Sequence, residues 1–338
     1  MSELSKIKVG ISVGDPNGIG FEIILKTFQE TNLFKKFIPI AFAHSQNFFE
    51  ESEKYKLDTN IICVKNIEDV KENFLNVIDI WDYPFPINYG KDESTAGNFA
   101  FISLEAATKA LRKNKIDILV TAPINKKNIQ SKIFKFKGHT DYLDKEIKGE
   151  SLMFMISDQI RLALATDHIP LAKVNEFATE KIIIKKIKIL EHSLKSDFNI
   201  SEPKIAILAI NPHAGDYGVI GEEEEDFLRP LVKAQYVKGI RIYGPFPADG
   251  FFGNQSYQKF DAVLAIYHDQ GLIPFKTLSF GEGVNFTAGL DRVRTSPDHG
   301  TAYDIAGQGE ADHNSFKNAL YTAREIFLNR KKFNDSIN

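Results

Sequence analysis

The sequence predicts an α/β protein of two domains built around mainly parallel sheets. Strand-like and helix-like segments alternate along the chain, the signature of βαβ units. The 338 residues exceed the size at which a single hydrophobic core stops growing. Three apolar, strand-like runs end directly on a histidine: Arg161 to His168, Lys204 to His213 and Asp261 to His268. Open α/β sheets collect ligands outside the carboxyl ends of their strands, so such endings suit this fold class.

Lys6 to Val13 reads as the first strand. It runs into Gly14-Asp-Pro-Asn-Gly-Ile-Gly20, after which Phe21 to Phe28 carries apolar residues at helical spacing, with Ile24 and Phe28 four apart. Phe37 to Ala43 and Ile116 to Thr121 read as further buried strands, the second breaking at Ala122-Pro123. The intervening Gly97 to Lys113 predicts a helix with Phe101, Leu104, Thr108 and Leu111 along one face. Glu180 to Leu194 reads as a basic amphipathic helix whose charged face is solvated. The acidic run Glu222 to Asp226 fits a helix N-terminus, which favours negative charge. Ser315 to Leu328 predicts a closing helix. No internal repeat or low-complexity linker interrupts this plan, so a domain boundary must fall in ordinary loops.

Composition narrows the class. With 43% hydrophobic and 26% charged residues, the chain has the makeup of a soluble globular protein. A net charge of -3 and a pI of about 6.3 give no nucleic-acid footprint, so an anionic substrate would need local basic residues. The start, Met1 to Lys8, lacks an apolar leader, and no later stretch approaches the roughly 20 apolar residues of a membrane span, which makes a cytoplasmic enzyme the expectation. The single cysteine, Cys63, excludes an internal disulfide framework and is expected as a small buried hydrophobe in Ile61-Ile-Cys-Val.

The chemistry concentrates in a few places. One histidine at a strand end is most simply a residue that hydrogen-bonds a loop, but His168, His213 and His268 repeat the pattern, and three imidazoles from separate strands could converge on one divalent cation. No short-spacing motif such as H-E-x-x-H is present. The loop Gly14 to Gly20 sits after a strand and before a helix, the context for anion binding, although its letters do not fit G-x-G-x-x-G and a plain turn explains it equally well. In His299-Gly-Thr-Ala-Tyr-Asp-Ile-Ala-Gly-Gln-Gly309, the Gly-Thr-Ala start permits close backbone approach to a flat or phosphorylated ligand, with His299 and Asp304 as polar contacts. Lys276, Asn285, Arg292 and Arg294-Thr-Ser296 offer the fixed positive charge and donors that a phosphate or carboxylate requires. His139, beside Thr140, is compatible with substrate binding. His44, His192 and His313 read as structural or surface residues.

Together, Gly14 to Gly20, Gly138-His-Thr140, Asn211-Pro-His-Ala-Gly215, Gly244-Pro-Phe-Pro-Ala-Asp249, Tyr267-His-Asp-Gln-Gly271, Gly283-Val-Asn285 and Arg294-Thr-Ser-Pro-Asp-His-Gly-Thr301 closely resemble the 4-hydroxythreonine-4-phosphate dehydrogenase (PdxA) family of vitamin B6 synthesis. The resemblance covers almost the whole chain. The loop from His299 is also similar to the cofactor loop of isocitrate and isopropylmalate dehydrogenases. That implies their fold: two α/β/α domains, residues 1–122 with 284–338 and residues 123–283, with the active site in the interdomain cleft of a homodimer. The resemblance further implies that His168, His213 and His268 bind the metal, with ligands from both subunits. His139, Thr140, Lys276, Asn285 and Arg294 would hold the phosphorylated substrate, and His299, Gly300, Thr301, Ala302 and Asp304 would carry part of the NAD site. Two places depart from the family pattern: Asn17 stands where alanine is usual, and Asp291-Arg292 replaces a more apolar pair.

The activity implied is NAD-dependent oxidation of 4-phosphohydroxy-L-threonine, followed by decarboxylation to 3-amino-1-hydroxyacetone phosphate. Asp249, Asp269 and Lys276 are candidates for the group that accepts the alcohol's proton. Zinc, magnesium and cobalt remain open as the metal; imidazole ligands suit zinc and cobalt better than magnesium. A sister activity on D-threonate or D-erythronate 4-phosphate is the nearest alternative. A three-histidine metal hydrolase is the alternative from another class, and would leave the His299 to Gly309 loop without a purpose.

Overall fold

The computed structural model describes residues 6–337. Residues 1–5 of the start that was read for a leader lie outside them. In chain order, β1 (Ile7–Ser12), α1 (Gly20–Gln29), β2 (Phe37–Ala43), α2 (Ser45–Lys54), β3 (Ile61–Val64) and β4 (Leu75–Asp79) are followed by the long α3 (Ser94–Arg112), β5 (Ile118–Thr121) and α4 (His139–Glu146). Next come β6 (Gly149–Ile156), β7 (Arg161–Leu164), the single turn α5 (Val174–Phe177), α6 (Glu180–Ser196), β8 (Ile205–Leu208), α7 (Arg229–Val237) and β9 (Ile242–Phe246). The chain closes with α8 (Ala248–Gly253), β10 (Ala262–Ala265), α9 (His268–Ser279), β11 (Val284–Leu290), β12 (Val293–Pro297) and α10 (Asn314–Ile337).

Two compact units result. The first comprises Met1–Lys148 with Leu290–Phe327, the second Gly149–Gly289 with Leu328–Asn338. This division differs from the expected one in three places. Residues 123–148 join the first unit because Phe134, Tyr142 and Leu143 pack into one core with Phe101 and Leu104 of α3. Residues 284–289 join the second, as β11 neighbours β6 in the sheet. The end of α10 also belongs to the second: Asn329 donates to the Asp197 carbonyl, Arg330 pairs with the buried Asp197 carboxylate at 2.6 Å, and Phe333 meets the His192 ring edge-on.

In the first unit the strands run in the order β3-β4-β2-β1-β5-β12, and every pairing is parallel. Strands covered on both faces read as unbroken apolar runs, and Val9, Ile11, Ile40, Leu119 and Val120 are fully buried accordingly. Helix α3 buries Ala100, Leu104, Ala107 and Leu111 at helical spacing. In the second unit the order is β11-β6-β7-β10-β8-β9, with β6 and β7 antiparallel and β7-β10-β8-β9 parallel. Its core gathers Leu162, Leu164, Leu208, Val263, Leu272 and Phe275. Helix α6 buries Ile183, Ile187, Leu190 and Leu194, and the Thr179 hydroxyl caps it by accepting from the Ile182 N–H at 3.4 Å.

Cys63 corrects an expectation. It is exposed on β3, the edge strand of the first sheet, with its thiol 3.5 Å from Asp79 Oδ2. The apolar run is real, but an edge strand has only one covered side. Among the described residues no helix is long and apolar enough to cross a membrane.

Candidate active site

Parallel strands carry the loops that follow them to one edge of their sheet. In the first unit, the loops after β1, β5 and β12 meet at the carboxyl edge around Asp15, which is fully buried. Asp15 Oδ2 accepts from Asn128 Nδ2 at 2.7 Å and from the Tyr303 hydroxyl at 2.6 Å, while Oδ1 accepts from the Asn17 N–H at 2.9 Å. Asn125 Nδ2 also donates to the Tyr303 oxygen at 3.1 Å. Burial and the Asp15 carboxylate together push the Tyr303 phenol well above its ordinary range, so it stays a donor. The Thr301 carbonyl accepts from the Ile19 N–H at 3.1 Å. A β-carbon on Gly18 would lie 2.7 Å from that carbonyl, and one on Gly14, at φ +71, 2.1 Å from the Pro123 carbonyl. The glycines therefore allow three loops to touch backbone to backbone.

The same unit gathers positive charge. Arg294 in β12 is 1% exposed, and its Nε and a terminal nitrogen donate to Thr121 Oγ1 at 3.1 and 2.5 Å. Burial works against its charge. His139 opens α4, and its Nε2 is enclosed without a hydrogen-bond partner. Burial first, then the charges of Arg294 and Lys126, hold its pKa well below the usual histidine range. An imidazole that stays neutral beside two cations and at a helix N-terminus is suited to an anionic ligand, to which it can donate a hydrogen bond. Thr140, the next residue, is 6% exposed.

In the second unit β7, β10 and β8 are adjacent and parallel, so His168, His268 and His213 all leave from one edge. The His168 and His268 rings are 5.7 Å apart, centroid to centroid, and line a cavity of about 310 Å³ with Asp167, Tyr267 and Asp269. Two imidazoles sharing a tetrahedral zinc have ring centres about 5 Å apart, as zinc–nitrogen distances dictate, so the pair fits a common ion. His268 Nδ1 bonds Asp269 Oδ1 at 2.7 Å, so Nε2 is the ring nitrogen from which an ion could be bound. His213 is exposed and does not line that cavity. It begins a run of five left-handed residues, with φ of 52, 54, 77, 42 and 55° from His213 to Tyr217. Four of these are not glycine, and each such residue costs about 1–2 kcal/mol. Among the described residues no group of three or more histidines, cysteines, aspartates or glutamates is placed to hold a metal within one chain. Of the three histidines, His168 and His268 share one cavity and His213 does not.

The other expected residues are dispersed. Asp249 is exposed in the first turn of α8, and Lys276 is exposed in the last turn of α9, about 12 Å along the axis from His268 at 1.5 Å per residue. Asn285 on β11 carries a buried, unpartnered Oδ1. In the cofactor-like loop Gly300 and Asp304 are exposed, Thr301 and Ala302 are half-buried, and His299 Nδ1 lies 3.0 Å from the Gly300 carbonyl. Arg292 is half-buried just before β12, whereas Arg294 is the one buried beside His139. His44 caps α2 through Nδ1, and His313 pairs with Glu30 at 3.3 Å.

Lys126 was missed from the sequence, and Asn17 was marked there only as a departure with no role. Lys126 follows the break of β5 at Ala122-Pro123, and a cation just past a strand end was the available signal. Asn17 is fully buried: Nδ2 donates to the Lys91 carbonyl at 2.9 Å and to Glu93 Oε2 at 3.2 Å, and Oδ1 accepts from the Asn88 N–H at 2.8 Å. It fastens residues 88–93 to the glycine loop, which alanine could not do.

Residues 35–323 match the family model described as pyridoxal phosphate biosynthetic protein PdxA. The chain is 43% identical over 332 residues to 4-hydroxythreonine-4-phosphate dehydrogenase of Bacteroides thetaiotaomicron, covering 98% of this chain and 91% of that protein. It is 37% identical over 324 residues, 94% of this chain and 93% of the relative, to a Cutibacterium acnes protein provisionally named D-threonate 4-phosphate dehydrogenase. The crystal structure of the Klebsiella pneumoniae 4-hydroxythreonine-4-phosphate dehydrogenase superposes with a TM-score of 0.82 at 30% identity, over 97% of this chain and 99% of that one. Isocitrate dehydrogenase of Methylococcus capsulatus shares the fold, with a TM-score of 0.51 at 15% identity over 96% of this chain and 87% of that one.

Proposed function

This chain belongs to the PdxA family, and from that premise we propose that it is an NAD-dependent, divalent-metal-dependent 4-hydroxythreonine-4-phosphate dehydrogenase of pyridoxal phosphate synthesis, acting as a cytoplasmic homodimer. The observation that carries the reading is the pairing of the buried Arg294 with neutral His139 at the N-terminus of α4, with the exposed Lys126 adding charge beside them. It suits a phosphate ester, and the likeness to 4-hydroxythreonine-4-phosphate dehydrogenase of Bacteroides thetaiotaomicron supports 4-phosphohydroxy-L-threonine as that ester.

Arg294 and His139, with Thr140, Lys276 and Asn285, would bind and orient the phosphorylated substrate. Asn285 has an enclosed acceptor oxygen to offer an ammonium or hydroxyl group. The loop from His299 to Asp304, with Gly300, Thr301 and Ala302, would receive NAD, which takes the hydride from the carbon bearing the alcohol. His168 and His268, with His213 supplied across the homodimer, would hold zinc, cobalt or magnesium, which when bound lowers the alcohol's pKa and stabilises the enolate left by decarboxylation. Asp249, Asp269 and Lys276 are the candidate acceptors of the alcohol proton. Asp269 already bonds the His268 ring, which suits it to orienting that ligand. Oxidation gives 2-amino-3-oxo-4-phosphooxybutanoate, a β-keto acid that loses carbon dioxide to yield 3-amino-1-hydroxyacetone phosphate.

The Cutibacterium acnes likeness favours one second reading, oxidation of D-threonate 4-phosphate. The test is NADH formation by chelator-treated protein with 4-phosphohydroxy-L-threonine, D-threonate 4-phosphate or D-erythronate 4-phosphate, with and without added metal. Metal-dependent NADH from the first alone supports the proposal. NADH only from a threonate or erythronate ester moves the substrate, and silence with all three returns the metal-hydrolase alternative.

A further inference from the structure

We propose that Glu224 is the positioning residue for His213, holding the left-handed turn that presents this imidazole; the proposal rests on the reading of His213 as a metal ligand. Glu224 is fully buried in the second unit. Its Oε1 accepts from the N–H groups of Ile210 and Asn211 at 2.7 and 2.8 Å, and its Oε2 accepts from Asn211 Nδ2 at 2.9 Å. The carboxylate thus grips the two residues that link β8 to the turn. It also packs against the turn: a β-carbon on Gly215 would lie 2.7 Å from Glu224 Oε2. On the far side, Arg229 donates to the Ala214 carbonyl at 3.1 Å.

The base of the loop is fixed as well. Gln270 accepts from the Ile266 N–H at 2.7 Å and donates to the Ala209 carbonyl at 2.6 Å, and so ties the end of β10 to the end of β8. The Thr166 hydroxyl donates to the Ile266 carbonyl at 2.7 Å, tying in β7. Consecutive left-handed residues persist only where their surroundings over-determine them, and such places cluster where a side chain must be aimed. A buried carboxylate that bonds no cation in this turn but three donors leading into it has the chemistry of an orienting partner for a ligand one step further out.

The experiment compares wild type with Glu224→Gln and Glu224→Ala in the full-length protein, using cobalt(II) as the probe and His213→Ala as the reference. In the metal-free proteins, hydrogen exchange is measured at residues 210–217, along with thermal unfolding. Glu224→Gln keeps the size but sets a donor against Asn211 Nδ2. We expect faster exchange confined to 210–217, little change in the unfolding midpoint, and cobalt affinity roughly 10- to 100-fold weaker. The loss should approach that of His213→Ala in Glu224→Ala. Unchanged exchange at 210–217, or a loosened turn with wild-type cobalt affinity, would overturn the proposal. If wild type itself shows no dependence on His213 for cobalt, the metal-ligand reading fails and the proposal with it. That result is recognised by comparing His213→Ala with wild type, before any Glu224 variant is considered.

Discussion

At the carboxyl edge of the first unit's sheet, Asp15, Asn128, Tyr303 and Arg294 bond one another or Thr121 inside the protein; at that of the second, His168 and His268 are half-buried and His213 is exposed. The two edges come from the same architecture, parallel strands delivering loops to one side. They differ in what completes them. The first edge is pre-organised by its own donors and acceptors, as suits a phosphate or a dinucleotide that needs fixed dipoles. The second presents imidazoles that reach solvent, the ligand type that suits a divalent ion.

The sharpest way to break this contrast is to remove an imidazole. His268→Ala or His168→Ala should abolish metal-dependent turnover while the unfolding midpoint of the metal-free protein stays within the range of a surface substitution, about 0.5 kcal/mol. A large loss of metal-free stability would mean that the second edge is pre-organised too. Arg294→Ala should weaken phosphorylated substrate by about 2–5 kcal/mol, read as a 30- to 5,000-fold drop in kcat/KM with KM rising. Arg294→Lys should recover only part, since lysine lacks the planar fork.

Tyr303→Phe leaves Asp15 Oδ2 with one donor fewer inside the protein. The expected cost is about 1–3 kcal/mol in urea unfolding, with a rise in KM for NAD. His139 predicts a pH dependence of stability. Its folded pKa lies well below 6.5 because of burial and the charges of Arg294 and Lys126. The unfolded chain therefore takes up a proton first as pH falls. Stability is complete above pH 6.5 and declines below it, by at most about 1.4 kcal/mol per pH unit for this one group, until the folded pKa is reached. His139→Gln should flatten that part of the curve. Cys63→Ser, on the exposed edge strand, should change stability least, by under about 0.5 kcal/mol.

Much of this was legible in the chain. Apolar runs gave β1, β2 and β5 nearly to the residue, because parallel strands are buried on both faces. The three strand-end histidines were legible for the same reason. What the sequence could not carry was long-range pairing. Residue 303 meets residue 15, and residue 17 fastens residues 88–93, across separations that no local pattern encodes. Cys63 was misread because an apolar tetrapeptide looks alike in a central strand and at an edge. Residues 123–148 were assigned to the second domain through the family resemblance, whereas Phe134 and Tyr142 return to the core under α3. Asn17 is the instructive departure: a change from the family's usual alanine acquires a purpose only when its three hydrogen bonds are seen.

The most direct test of the division of labour is equilibrium titration of the metal-stripped protein with 4-phosphohydroxy-L-threonine, followed by cobalt(II), in wild type, Arg294→Ala and His168→Ala. We expect the phosphorylated substrate to bind without metal, Arg294→Ala to abolish this while His168→Ala retains it, and His168→Ala to lose cobalt binding. Equal loss of substrate binding in both variants, or cobalt binding that survives His168→Ala, would contradict it.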